Sequence, residues 1–362
     1  FDAAAWVGAA KKAGMQYITL ITRHHDGFSL WDTRQSDWSI SSTPYKKDIV
    51  KQIAAECHRQ GIKLFCYYSL LDWYRSDYQY ETGRTGKGTG RTAHSNWESY
   101  IAFMKAQLTE LLTQYGEISG IWFDGHWDQL DNDVDKKQTS KVNWHYDEIY
   151  GLIHRLQPQC MIGNNHHLTP IPGEDFQMFE KDLPGHNTTG FGGASVSALP
   201  LETCETINDS WGFNITDRNY KSAKELIHYL VRAAGYGSNF LLNIGPMPNG
   251  SIQPEFVERL EAMGGWLKTN GATIYGTRGG WMTPKPWGAV TEKGNTVFLH
   301  LLNDLGEKKL FLQTPFKVKS ARERVNGRPV KITSLSDNYV MIDLNGLEIQ
   351  DYDTIIEMEV VR

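Results

Sequence analysis

The sequence predicts an α/β protein, a (β/α) barrel followed by a C-terminal antiparallel β-sandwich. Three observations carry this. Strand-like and helix-like segments alternate through residues 1–273, which implies parallel strands with helices outside them. Polar and aromatic residues follow almost every one of those strands. A barrel gathers such strand ends around one site, whereas an open doubly wound sheet keeps its site at a single switch point. From Ile274 onward the helical patterns stop and short β-rich runs replace them. The expected domains are therefore residues 1–273 and 274–362.

The elements follow in order. Phe1 to Ala13 has a helical pattern that Gly14 ends, and Tyr17 to Ile21 is a short β run. Asp48 to Gln60 reads as a helix stopped by Gly61, and Ile62 to Tyr68 as a strand. Asn96 can cap a helix running to about Tyr115, after which Gly120 to Phe123 is a strand. Trp144 to Leu156 is a helix closed by Pro158, and Met161-Ile162 begins another strand. Leu201 to Thr206 and Phe240 to Ile244 are strands flanking a helix over Lys221 to Ala234. Pro254 is well placed to start the helix over Glu255 to Thr269. In the last module the β candidates are Thr296 to Leu302, Lys309 to Leu312, Val330 to Ile332, Val340 to Leu344 and Ile355 to Val361. Turns are expected at Asn303-Asp304, Asn326-Gly327 and Asn345-Gly346.

Bulk properties exclude several classes. The 362 residues are 40% apolar, enough for a sizeable core. Acidic residues number 42 against 37 basic ones, a formal charge of -5, with no basic stripe for nucleic acid. No apolar run has the length of a membrane span, and no leader is visible ahead of Phe1. Cys57, Cys66, Cys160 and Cys204 match no zinc spacing and read as small buried apolar residues. Gly83 to Gly90 lacks the strand and spacing of a nucleotide loop and reads as a mobile surface loop. The 12 Trp, 17 Tyr and 14 Phe suit stacking on sugars, among other partners.

Candidate chemistry sits at the strand ends. Asp124 closes an apolar strand, and Gly125 after it lets the chain turn while the backbone stays near a ligand. Such a carboxylate serves as nucleophile or base, or simply fixes a loop. Glycosidic cleavage needs a second carboxyl group to protonate the departing oxygen. Glu202, Glu205, Glu174, Glu180 and Asp72 are the candidates, and spacing does not choose among them. His24 and His25 suit vicinal hydroxyls. They are poor joint metal ligands, because adjacent residues on an extended segment point oppositely. Tyr67, Trp122 and Trp127 share the same rim, while Tyr68 reads as packing.

Read in order, these stretches resemble glycoside hydrolase family 29, the α-L-fucosidases. They are His24-His25-Asp26-Gly27-Phe28 with Trp31, Tyr67-Tyr68-Ser69, and Trp122-Phe123-Asp124-Gly125. Glu202-Thr-Cys204 leading to Trp211-Gly212, Phe240 to Pro246, Asn270-Gly271 and Ile274-Tyr275-Gly276 continue the series. The resemblance implies a catalytic barrel with a β-sandwich, and hydrolysis of terminal α-L-fucose with retention through a covalent fucosyl-enzyme. It places the nucleophile at Asp124 and the acid/base at Glu202, although Leu201 stands where a Trp is usual. It assigns sugar contacts to His24, His25, Trp31, Tyr67 and Trp122, with His166 where relatives carry an Arg. It implies no metal or organic cofactor, fucosylated glycans as partners, and a secreted, periplasmic or lysosomal location. The family's first strand, with its sugar-binding His, has no counterpart before Phe1, so the barrel reads as one strand short. The competing readings are an α-galactosidase-like glycosidase, a degenerate carbohydrate-binding relative and a metal-dependent hydrolase.

Overall fold

Strand and helix alternate as the sequence predicts through the first two-thirds of the chain. The computed structural model describes residues 1–303 and 306–362, so Asp304 of the expected Asn303-Asp304 turn lies outside the described residues. The chain divides into two compact units, one of residues 1–200 with 247–252 and one of residues 201–246 with 253–362.

In the first unit the order is α1 (Ala3–Lys12), β1 (Tyr17–Arg23), α2 (Ile49–Gln60), β2 (Lys63–Ser69), α3 (Trp97–Gln114), β3 (Gly120–Asp124), α4 (Tyr146–Leu156), β4 (Met161–Asn165) and β5 (Gln177–Glu180). Strands β1 to β4 pair in sequence order, all parallel. The helices begin and end where local chemistry says they must. Asp48 accepts from the Lys51 amide at the start of α2, and Gly61 takes the left-handed conformation at its end. Asn96 caps α3 through the Ser99 amide. Val50, Ile53, Ala54 and Cys57 give α2 one buried stripe, which packs with Leu64, Tyr100, Met104, Ile121 and Ile153 in a single core. Residues 247–252 belong here too, and the Trp6 indole N–H donates to the Gly250 carbonyl at 2.7 Å.

The second unit begins with β6 (Leu201–Thr206), α5 (Ala223–Gly235), β7 (Ser238–Asn243) and α6 (Pro254–Asn270), with β6 and β7 parallel. A capping box between Ser222 and Glu225 opens α5. Then come β8 (Arg278–Gly279), β9 (Gly288–Lys293), β10 (Thr296–Leu301), β11 (Lys309–Gln313), β12 (Lys317–Glu323), β13 (Ile332–Ser336), β14 (Tyr339–Asp343) and β15 (Thr354–Val361). They form two antiparallel sheets, ordered β12-β15-β10-β9-β8 and β11-β14-β13. Val297, Leu299 and Ile356 from one sheet share a core with Leu312, Val340 and Ile342 from the other, the arrangement of a sandwich.

Several strands differ from the sequence reading, the short β8 among them. Strands β9 and β12 were not expected, and β13 starts at Ile332 rather than ending there. Strand β5 was not expected either, and it carries Glu180. The four cysteines are free and buried, as expected of apolar fillers, and burial pushes the Cys57 and Cys160 thiols up to about 12. At the glycine-rich loop, buried Asp128 accepts from the Thr85 amide at 2.8 Å and from its hydroxyl at 2.6 Å, and Arg84 pairs with Asp133 at 2.7 Å. Among the described residues no helix is long and apolar enough to cross a membrane.

Candidate active site

The parallel sheet of the first unit delivers its polar residues at the carboxyl ends of its strands. Asp124 is the last residue of β3, level with Ser69 on β2 and Asn165 on β4. Gly125 follows at φ +103°, and a β-carbon there would lie 2.8 Å from the Leu71 amide nitrogen. Only glycine lets the chain turn this sharply against its neighbour. The pairing of β1 with β2 slips between Ile21 and Arg23. A slip of this kind re-aims the residues beyond it, here His24 and His25.

Four neutral donors surround the Asp124 carboxylate. The Tyr67 hydroxyl donates to Oδ2 at 2.7 Å. The Gly125 amide, the Trp127 indole N–H and the Asn165 side-chain amide donate to Oδ1 at 2.8, 3.2 and 3.4 Å. Among the described residues no Lys or Arg pairs with this carboxylate. Burial, then the Asp124 charge and their shared hydrogen bond, holds the Tyr67 phenol well above the ordinary tyrosine value, so it stays a donor. Trp122 stacks on Tyr67 with centroids 5.3 Å apart, and His24 stacks on it at 5.2 Å. His24 is exposed and His25 buried.

The protonation of His25 follows from its partners. Ser69 Oγ spends its hydrogen on the Leu71 carbonyl at 2.6 Å, so it accepts from His25 Nδ1 at 2.7 Å. Burial pushes the imidazole down to about 4, against the pull of Asp124. The neutral ring therefore carries its proton on Nδ1. Nε2, 3.6 Å from Asp124 Oδ2, is a bare acceptor beside the carboxylate, ready for a substrate hydroxyl.

A second carboxylate approaches from β5. Asn165 Nδ2 donates to Glu180 Oε2 at 2.7 Å and to Asp124 Oδ1 at 3.4 Å. His167 Nε2 also meets Glu180 Oε2, at 3.1 Å. Burial pushes the Glu180 carboxyl up. The bonds from His167 and Asn165, with the His167 and Lys181 charges, outweigh it and leave the group below its ordinary value.

Several expected residues of the first unit have partners outside this cluster. Trp31 is fully buried and its indole N–H donates to Glu110 Oε2 on α3 at 3.0 Å. His166 is buried against Glu174, 3.0 Å from Oε1, with Tyr150 donating to the same oxygen at 3.1 Å. Asp72 is consumed by Arg23 and by the amides of Tyr74 and Arg75. Glu202 and Glu205 lie on β6 of the second unit, both buried. Sequence reading missed the bridging role of Asn165 and the part played by His167. The strand-end position of Asn165, level with Asp124, was the available signal.

One atom each of His24, His25 and Asp124 lie within 4.8 Å of one another. Two imidazoles and a carboxylate could in principle hold a divalent ion. The donors already present fit an ion badly. Asp124 is ringed by four hydrogen-bond donors that already engage both of its carboxylate oxygens.

A family model described as alpha-L-fucosidase matches residues 1–272. The chain is similar to the alpha-L-fucosidase of Dictyostelium discoideum, 30% identical over 283 residues, 76% of this chain and 56% of that protein's length. It is similar to the human plasma alpha-L-fucosidase, 29% identical over 368 residues, 96% of this chain and 73% of that protein. Among solved structures it is similar to alpha-L-fucosidase isoenzyme 1 from Paenibacillus thiaminolyticus. That structure has 30% identity and a TM-score of 0.83, and the match covers 100% of this chain and 87% of the other.

Proposed function

Because this chain belongs to the alpha-L-fucosidase family, we propose that it hydrolyses terminal α-L-fucosides with retention, Asp124 acting as nucleophile. The observation that carries the reading is the Asn165 amide. Its one nitrogen reaches Asp124 at 3.4 Å and Glu180 at 2.7 Å, so the two carboxylate oxygens lie no farther apart than those bonds laid end to end. The two N–H bonds of a planar amide diverge, which puts the oxygens roughly 5 Å apart. Retaining glycosidases hold their carboxyl pair about 5–5.5 Å apart, because the nucleophile must touch the anomeric carbon while the acid touches the glycosidic oxygen.

On this reading Asp124 attacks C1 while Glu180 protonates the departing oxygen, and Glu180 then deprotonates the water that releases fucose. The ionised Glu180 of the free site is ready for the second step. An arriving sugar excludes water from it and so favours its protonated form for the first. His25 Nε2 accepts a sugar hydroxyl, and His24, Tyr67 and Trp122 line the pocket wall. A second reading keeps Glu202 as the acid/base, supported by its burial and by the Glu202-Thr-Cys204 stretch. The match to residues 1–272 supports a catalytic part of residues 1–273 and a supporting β-sandwich of residues 274–362. Fucosylated glycans are the proposed substrates, and a secreted, periplasmic or lysosomal location fits relatives named for plasma.

Hydrolysis of an aryl α-L-fucoside by the parent and by Asp124→Ala, Glu180→Ala and Glu202→Ala tests the assignment. Azide should restore turnover in Glu180→Ala and not in Glu202→Ala, whereas the reverse makes Glu202 the acid/base. Faster hydrolysis of the aryl α-galactoside would move the specificity to galactose, and loss of activity in chelator would bring in a metal. A folded parent that binds fucose without turnover would be a degenerate relative.

A further inference from the structure

The two oxygens of Glu180 are not equivalent. Asn165 Nδ2 and His167 Nε2 both meet Oε2, at 2.7 and 3.1 Å. His167 is held for this contact at some cost. Its backbone is left-handed at φ +64°, which a residue with a β-carbon adopts unwillingly and which clusters at functional sites. Its ring is buried and stacked on Phe191, with centroids 5.2 Å apart. Its Nδ1 is a buried atom with no hydrogen-bond partner. In that left-handed conformation, two residues past the end of β4, Nε2 reaches Glu180.

We propose that His167 is a positioning residue that clamps Oε2 of Glu180, leaving Oε1 to give its proton to the glycosidic oxygen and to take one back from water. The inference rests on the reading of Glu180 as acid/base. In the first step the C1–O bond breaks, the Asp124–C1 bond forms and the Oε1 proton goes to the leaving oxygen. In the second step water bonds to C1, Asp124 leaves and the water proton returns to Oε1. His167 keeps its own proton throughout. The charged and titratable groups facing Glu180 are His167 beyond β4, Asp124 on β3 across Asn165, the Tyr67 phenol on β2 and its neighbour Lys181.

His167→Asn is the informative variant, because Asn tolerates the left-handed backbone and is too short to keep the contact. Its kcat/KM is compared with the parent's on methyl α-L-fucoside, whose leaving group needs a proton, and on α-L-fucosyl fluoride, whose leaving group does not. The expected loss is about ten- to hundredfold on the methyl glycoside and less than about threefold on the fluoride. The basic limb of the methyl-fucoside pH profile should also move to higher pH, since the lost bond had favoured ionised Glu180. In His167→Gly, added imidazole should restore part of the methyl-fucoside rate. Equal loss on both substrates with an unmoved limb, or no loss on either, overturns the proposal. A parent inactive on both substrates would instead overturn the fucosidase reading, and azide rescue confined to Glu202→Ala would overturn the assignment of Glu180.

Discussion

Asp72, just past β2, and Asp124, the last residue of β3, stand at neighbouring strand ends of one sheet, and both stood among the candidate catalytic carboxylates. Their surroundings separate them. Asp72 and Arg23 form an ion pair with both side chains at 0% exposure. The rest of Asp72 is taken by the Tyr74 and Arg75 amides at 2.7 and 2.8 Å, and Arg23 also meets the Ser69 carbonyl and the Tyr100 hydroxyl. Asp124 has neutral donors around it and keeps 13% of its side chain exposed. A guanidinium spends the carboxylate's charge on holding a loop. Neutral donors fix its direction and leave the charge for an electrophile. Position at a strand end therefore does not by itself mark the proposed nucleophile, and the identity of the donors tells the two carboxylates apart.

The comparison breaks most sharply by mutation. Asp124→Ala should lower kcat on an aryl fucoside by about ten-thousandfold or more while leaving the melting temperature close to the parent's. Asp72→Asn should do the opposite. Removing one charge of a buried pair costs about 3–5 kcal/mol, so thermal unfolding moves down, while kcat per folded molecule changes far less. If Asp72→Asn abolishes turnover in fully folded protein, the division between scaffold and nucleophile is wrong.

Tyr67 sharpens it next. Its hydroxyl donates to Asp124 Oδ2 at 2.7 Å. On the proposed mechanism that bond steadies the carboxylate both before attack and when it departs from the sugar. Without it the proposed nucleophile forms the covalent bond readily, but it leaves less willingly. Tyr67→Phe should lower kcat roughly tenfold, the scale of a hydrogen bond to a charged group, and lower KM with it. Stopped-flow release of the aryl alcohol should show a burst as the intermediate accumulates. A rise in KM without a burst would mean that Tyr67 serves binding alone.

Much of this was legible in the chain itself. The β1–β4 alternation, the helix stop at Gly61, the cap at Asn96, and Asp124 between an apolar run and a glycine all follow from periodicity and local backbone chemistry. Strand β5 was not legible, because Gln-Met-Phe-Glu has neither alternation nor β-branched residues, and Glu180 was lost among other carboxylates with it. Trp31 was assigned a sugar contact through the family resemblance and not from its own surroundings. Only its bond to Glu110, 79 positions away, shows that it is buried in the core. The contacts of Asn165 and His167 depend on β4 lying beside β3 in register and on one left-handed residue, neither of which spacing encodes.

The smallest expected effect separates stability from catalysis. His126 lies just past Asp124, buried, with Nδ1 2.7 Å from the Tyr146 hydroxyl. Burial first, then the His166 and His167 charges, pushes its imidazole down to about 3. An unfolded chain would titrate it near 6.5, so between those values the unfolded state binds more protons than the folded one. Stability is therefore whole above pH 6.5 and drains away as pH falls toward 3, at up to about 1.4 kcal/mol per unit. Buried His25, pushed down to about 4, adds the same sign over pH 6.5 to 4. His24 and His228, whose imidazoles burial also lowers, add the same sign over this window. The urea midpoint of the parent should fall over that window, and that of His126→Gln should fall less, with the shares of the other histidines remaining. Aryl-fucoside kcat at pH 7 should be nearly unchanged in His126→Gln, because its ring faces Tyr146 rather than the carboxylates. An equal pH slope in parent and variant would mean that His126 is already charged in the folded protein.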